Sequence, residues 1–145
     1  MFERKDKTMK KHTLLLVGAA ALMVAGTAGF MNLRPVGYRD GVYSGSASGA
    51  FGETKVTLTI ADGRIAKCDM EALDDDGNVK DAHYGEGSSE ANFRMAQTAL
   101  QGIGEYPKKL IESQNVDGID AVSGATVSLL DFRNAVKQAL EEARR

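Results

Sequence analysis

Near the C-terminus the chain reads Asp120-Ala121-Val122-Ser123-Gly124-Ala125-Thr126-Val127-Ser128, a run of small and hydroxylated residues ahead of an amphipathic stretch. Gly124 permits a backbone turn with positive φ, and Ala125 adds almost no bulk. Together they leave the Thr126 hydroxyl accessible at the lip of a helix. Backbone N–H groups in a first helical turn lack partners and carry the positive end of the helix dipole. A phosphate placed there is stabilised by both. Ser128 and Asp131 fit a Ser-x-x-Asp capping box, which frees Thr126 from serving as the sole cap. On these grounds alone a plain helix cap is the favoured reading of the stretch, ahead of an attachment point.

Other chemistries find little support. Cys68 is the single cysteine, so the chain has neither an internal disulfide nor a cysteine-based metal site of its own. His12 and His83 are too few for a metal cluster. Asp74-Asp75-Asp76 lacks the Gly and Glu spacing of a calcium loop and reads as a solvated turn. The formal net charge is -2, and beyond residue 31 the balance is 13 basic to 18 acidic residues. A mildly acidic body without a basic run argues against nucleic acid as a partner.

The elements that must position the small-residue stretch follow from periodicity. Val56, Leu58 and Ile60 alternate with Thr57 and Thr59, and Asp62-Gly63 supplies a hairpin turn. On the return strand Ala66, Cys68, Met70 and Ala72 are expected inside, with Lys67, Asp69 and Glu71 outside. Upstream, the glycines of Gly41-Val42-Tyr43-Ser44-Gly45 imply a strand with a bulge or with another backbone close by. After Ser88-Ser89-Glu90 a helix is predicted, with Phe93, Ala96 and Leu100 on one face and Gly102 as its stop. Pro107 opens a shorter helix with Leu110 and Ile111 inward. A last helix from about Ser128 presents Leu129, Phe132, Val136 and Leu140 to the core, with Arg133, Lys137, Glu141 and Glu142 towards water. Strands first and helices after give an α+β fold: an antiparallel sheet with helices on one face and a C-terminal helix following the small-residue loop.

The N-terminus reads as an address or an anchor. Arg4, Lys5, Lys7, Lys10 and Lys11 precede Thr13–Met31, nineteen residues without a charge. That length lies between a signal-peptide core and a membrane span. Ala25-Gly26-Thr27-Ala28 offers a cut after Ala28, with Gly26 and Ala28 at the small positions. Residues 1–31 are thus expected to be a signal peptide or membrane anchor, 32–37 a linker and 38–145 the folded domain. Either way the domain is extracytoplasmic, because the positive residues stay inside.

The stretch Asp120–Thr126 matches an Asp-x-x-Ser/Thr-Gly-Ala-Thr/Ser flavinylation motif. With "DGVYSGSASG", "VTLTIADGRI", "YPKKLIESQNVDGIDAVSGAT" and "AVKQAL", the chain resembles the FMN-binding domains of the covalent-flavin subunits of sodium-pumping NADH:quinone reductase and Rnf complexes. The resemblance implies that Thr126 is esterified to the phosphate of FMN by a separate Mg²⁺-dependent flavin transferase with FAD as donor. Ser123, Gly124 and Ala125 would form the accessible turn, Asp120 part of the transferase's recognition sequence, and Val127 and Ser128 the helix start facing the phosphate. The ring needs an apolar shelf with a few polar groups. Tyr84, His83 and Met95 are candidates, and Tyr43-Ser44-Gly45-Ser46 can approach it closely. Such a protein would carry electrons to membrane or envelope redox partners, free or as a subunit of a membrane complex. A non-redox envelope module that uses Thr126 only as a cap is the alternative from another class.

Overall fold

A computed structural model describes residues 37–144. The leader, the cut after Ala28 and the linker up to Val36 lie outside the described residues. Three strands, β1 (Gly41–Gly49), β2 (Gly52–Ala61) and β3 (Arg64–Leu73), form one antiparallel sheet in the order β1-β2-β3. Helices α1 (Glu90–Ile103), α2 (Tyr106–Ser113) and α3 (Thr126–Arg144) follow, with a short 3-10 turn at Val116–Gly118. This is an α+β fold.

The hairpin β2–β3 turns at Asp62-Gly63, both with positive φ (53° and 70°), as a type I′ turn requires. Val56, Leu58 and Ile60 are buried, as their alternation predicts. β3 departs from its predicted alternation. Thr59 pairs with Lys67 but Ile60 with Ile65, so Ala66 is the extra residue of a β-bulge. Ile65 is therefore buried and Ala66 exposed. Downstream the phase recovers: Cys68 and Ala72 are buried and Met70 half-buried. Burial, reinforced by Asp69, pushes the Cys68 thiol up to about 12, so it packs as a small hydrophobe.

β1 carries no bulge; its pairing with β2 runs unbroken from Gly41–Ile60 to Gly49–Gly52. Its glycine serves the other expected purpose. Gly45 faces α3, and a Cβ there would overlap the Ala135 carbonyl and stand 2.8 Å from Ala139 N. α3 lies across β1 and β2, burying Leu129, Phe132, Val136 and Leu140 with Ala135, Ala139 and Ala143. α2 packs on β3, where Gln114 braces the sheet edge. Its Nε2 donates to Ile65 O (2.9 Å), and Ile65 N–H donates to its Oε1 (2.9 Å).

Three further expectations are corrected. α1 runs through Gly102 to Ile103, with Gly104 as its C-cap, because Gly102 does not have the positive φ of a helix stop and has a packing role described below. α3 starts at Thr126, so Ser128 lies inside its first turn and forms no capping box with Asp131. Arg133 does not face water: it reaches across to the loop before the helix. Among the described residues no helix is long and apolar enough to cross a membrane.

Candidate functional site

The stretch predicted to do chemistry is a β-turn joined to a helix start. Ala125 N–H donates to Val122 O (3.0 Å), closing the turn Val122–Ala125. Gly124 occupies its third position with φ +83°, which an L side chain rarely adopts. A Cβ there would also lie 2.9 Å from Thr98 Cγ2 of α1. Ala125 is buried, and a Cβ on Gly102 would come within 2.6 Å of its methyl. The helix and the turn thus meet through two glycines, one on each side. Gly102 is read from sequence as punctuation; its purpose is this close approach.

Two side chains outside the stretch hold the turn. Tyr106 is fully buried and stacks on Phe132 with ring centroids 5.7 Å apart. Its hydroxyl donates to Ala125 O (2.8 Å) and accepts from Val122 N–H (3.2 Å), tying both ends of the turn to one atom. Arg133 donates from Nη2 to Ile119 O (2.6 Å) and from Nε to Val116 O (3.3 Å), fixing the segment that leads into Asp120. Asp120 itself is exposed and has no hydrogen bond or ion pair among the described residues, so the loop is oriented by Arg133 and Tyr106. The only sequence sign of Tyr106 is its place beside Pro107 at the start of α2. Tyr106→Phe keeps the ring stack and removes the shared hydroxyl. It is expected to cost about 1–2 kcal/mol, because Val122 N–H loses its partner, measured by denaturant unfolding.

Thr126 is the first residue of α3. Its side chain is exposed and its hydroxyl makes no hydrogen bond among the described residues. Leu129 N–H donates to Ala125 O (3.1 Å) as the first helical bond. The N–H groups of Thr126, Val127 and Ser128 therefore have no helical acceptor. Ser123 and Val127 are exposed, and Ser128 is half-buried.

Beside this helix start runs a groove of about 590 Å³ whose walls include Gly124, Ser128, Phe51, Lys80, Tyr84 and Met95. It exists because α1 covers the body incompletely. Phe93, Ala96 and Leu100 are only half-buried, while Met95 and Phe51 are 68% and 56% exposed. Tyr84 and Met95, predicted as ring candidates, are thus brought to the same groove as the turn. His83 is not. It is exposed and pairs with Glu86 (Nδ1 to Oε1, 2.8 Å), a bond that raises its pKa. Ser44, Gly45 and Ser46 line a separate shallow depression with Thr57, Asp69 and Gln138. Asp74 is used locally, its Oδ1 accepting from Asp76 N–H (3.0 Å) and Asn78 N–H (2.8 Å). These bonds, that to Asn78 first, hold its carboxyl below the usual range despite some desolvation.

Lys80 and Phe51 are missed by sequence reasoning, since each lies far along the chain from the turn it approaches. Lys80 N–H donates to Ala72 O (2.8 Å), and Val79 bridges to Leu73, so this part of the loop is fastened to β3. The Lys80 Nζ stands 5.0 Å from the Tyr84 ring centroid, a cation–π contact.

No curated protein matches the chain. Among solved structures, the crystal structure of the CPE2226 protein from Clostridium perfringens is 26% identical, with a TM-score of 0.55. That match covers 73% of this chain and 88% of the other. A solution NMR structure from Clostridium thermocellum is 23% identical with a TM-score of 0.42, covering 73% and 92% respectively. The FMN-binding domain family matches residues 49–141, a span that includes the whole turn, the start of α3 and every groove residue named above. With well over half of its length matched, the chain belongs to the FMN-binding domain family and is a flavin-binding protein.

Proposed function

We propose that this protein is an extracytoplasmic electron-transfer flavoprotein in which FMN is joined through its phosphate to Thr126 Oγ. The residues present fit that group. Thr126 offers a hydroxyl with no hydrogen-bond partner among the described residues, three N–H groups without helical acceptors surround it, and Gly124 keeps the turn free of a side chain. The adjoining groove has the size of a small-molecule site, ~300–1,000 Å³ in general, and combines apolar walls with few polar groups. The observation that carries the proposal is this exposed hydroxyl, without a hydrogen bond among the described residues, at a helix start whose neighbours Gly124 and Ser128 line the groove.

When bound, FMN supplies one- and two-electron transfer. The chain supplies attachment and orientation. Thr126 Oγ forms the new oxygen–phosphorus bond and gives up its proton; with FAD as donor, the bond to AMP breaks and AMP leaves. A separate Mg²⁺-dependent flavin transferase would catalyse this outside the cytoplasm, where a detached FMN is not readily replaced. Ser123 and Gly124, both exposed, give that enzyme access while Ala125 is buried beneath the turn, and Asp120, exposed ahead of it, is available to be read by the transferase. The uncharged stretch Thr13–Met31 supports export. Cleavage near Gly29 would release a free carrier passing electrons between envelope partners. An intact leader would make the protein the flavin-bearing subunit of a membrane redox complex.

Co-expression with a flavin transferase is expected to raise the intact mass by that of FMN less one water, with visible flavin absorbance that survives denaturation. Colourless protein of unchanged mass, made beside a transferase shown to be active, would leave Thr126 as no more than a helix residue.

A further inference from the structure

The groove beside Thr126 contains two cationic side chains, Arg94 and Lys80. Arg94 is already committed, its Nη2 lying 2.8 Å from Glu90 Oε1. Lys80 differs: it forms no ion pair among the described residues, and the Tyr84 ring is its direct contact. Its backbone is pinned to the β3 edge through Ala72 O, so the charge is carried by the sheet rather than by a free loop. Half-burial pulls its ammonium below the usual lysine range, while Asp75, Asp131 and Asp74 at longer range oppose this. A partly desolvated charge is weakly screened and acts strongly on a neighbour in the same cavity.

The phosphate end of a ligand tethered at Thr126 has its own donors in the N–H groups of Thr126, Val127 and Ser128. Lys80, a wall of the same groove without an ion pair among the described residues, is the cation left to meet the rest of the ligand. We propose that Lys80 is the groove's counter-charge to the flavin, stabilising the negative charge that reduction adds and so raising the reduction potential. Tyr84 positions the ammonium by offering its ring face, and the carboxylate of Asp131 moderates the charge. This rests on the FMN reading above.

The test is a mediated spectroelectrochemical titration of the flavin-loaded full chain at neutral pH. Lys80→Gln should weaken the preference for reduced over oxidised flavin about tenfold, a fall of about 30 mV for two electrons. Lys80→Arg should stay near the wild-type potential, and Asp131→Asn should move it upward. An unchanged potential in Lys80→Gln overturns the proposal. So does a Lys80→Gln protein that no longer takes up flavin, which would place Lys80 in loading rather than tuning. Wild-type protein that carries no FMN would overturn the underlying reading instead, and is seen before any variant is compared.

Discussion

Thr126→Ala, co-expressed with a flavin transferase, is expected to carry no covalent flavin, while Thr126→Ser is expected to retain it. The effect should be complete, because no other residue of the turn combines the same features. Ser123 is exposed but sits inside the turn, ahead of the helix and its unpaired N–H groups. Ser128 lies half-buried in the first helical turn, at the groove wall. Alanine at the first position of α3 leaves the fold intact, since it has no lower helix propensity than threonine and Thr126 makes no side-chain bond to lose. Circular dichroism and the unfolding midpoint should therefore match wild type while the flavin absorbance disappears. Covalent flavin in Thr126→Ala at the wild-type level would remove the assignment.

The second large effect lies far from the turn. Gly45→Val is expected to cost about 3 kcal/mol or more, read as a lower denaturant midpoint with an unchanged slope. The obstacle is backbone: a Cβ at Gly45 overlaps the Ala135 carbonyl and crowds Ala139 N, neither of which can rotate aside. α3 would have to lift from β1, loosening the contacts of Phe132 and Val136, both fully buried. Because α3 also carries Thr126 at its start and Arg133 in its second turn, flavin loading should fall along with stability. A loss of well under about 1 kcal/mol would mean that α3 tolerates a side chain between itself and the sheet.

These two residues also mark what the sequence could and could not disclose. Features written in local periodicity were legible. The alternation of Val56, Leu58 and Ile60 with a positive-φ pair at Asp62-Gly63 admits one reading, and the structure has that hairpin. The stripe Leu129, Phe132, Val136 and Leu140 likewise faces the core. The turn chemistry of Ser123-Gly124-Ala125 was legible too, because a glycine before a helix start has few local uses.

What failed depended on partners distant in sequence. Ile65 and Ala66 are both apolar, so nothing local says which of them the bulge turns outward. Gly102 resembles a helix stop until Ala125 and Val122 are seen packed against it. Arg133 lies on the apparent water face of α3, yet carbonyls fourteen and seventeen residues earlier claim its guanidinium. Placing the helix at Ser128 rather than Thr126 came from crediting a local capping box. Tertiary contacts instead hold the turn: Tyr106 grips Ala125 O, and that carbonyl becomes the first helical acceptor. The groove was least visible, since Phe51, Lys80, Tyr84 and Met95 come from three separate segments that meet only in the fold.

The most direct measurement of the central claim is fragmentation mass spectrometry on the peptide spanning Asp120 to Ser128, from wild-type protein co-expressed with a flavin transferase. One phosphoryl-linked flavin is expected on Thr126 Oγ, with Ser123 and Ser128 unmodified. A flavin found on either serine, or a peptide with no added mass from protein that is nonetheless yellow, would contradict it.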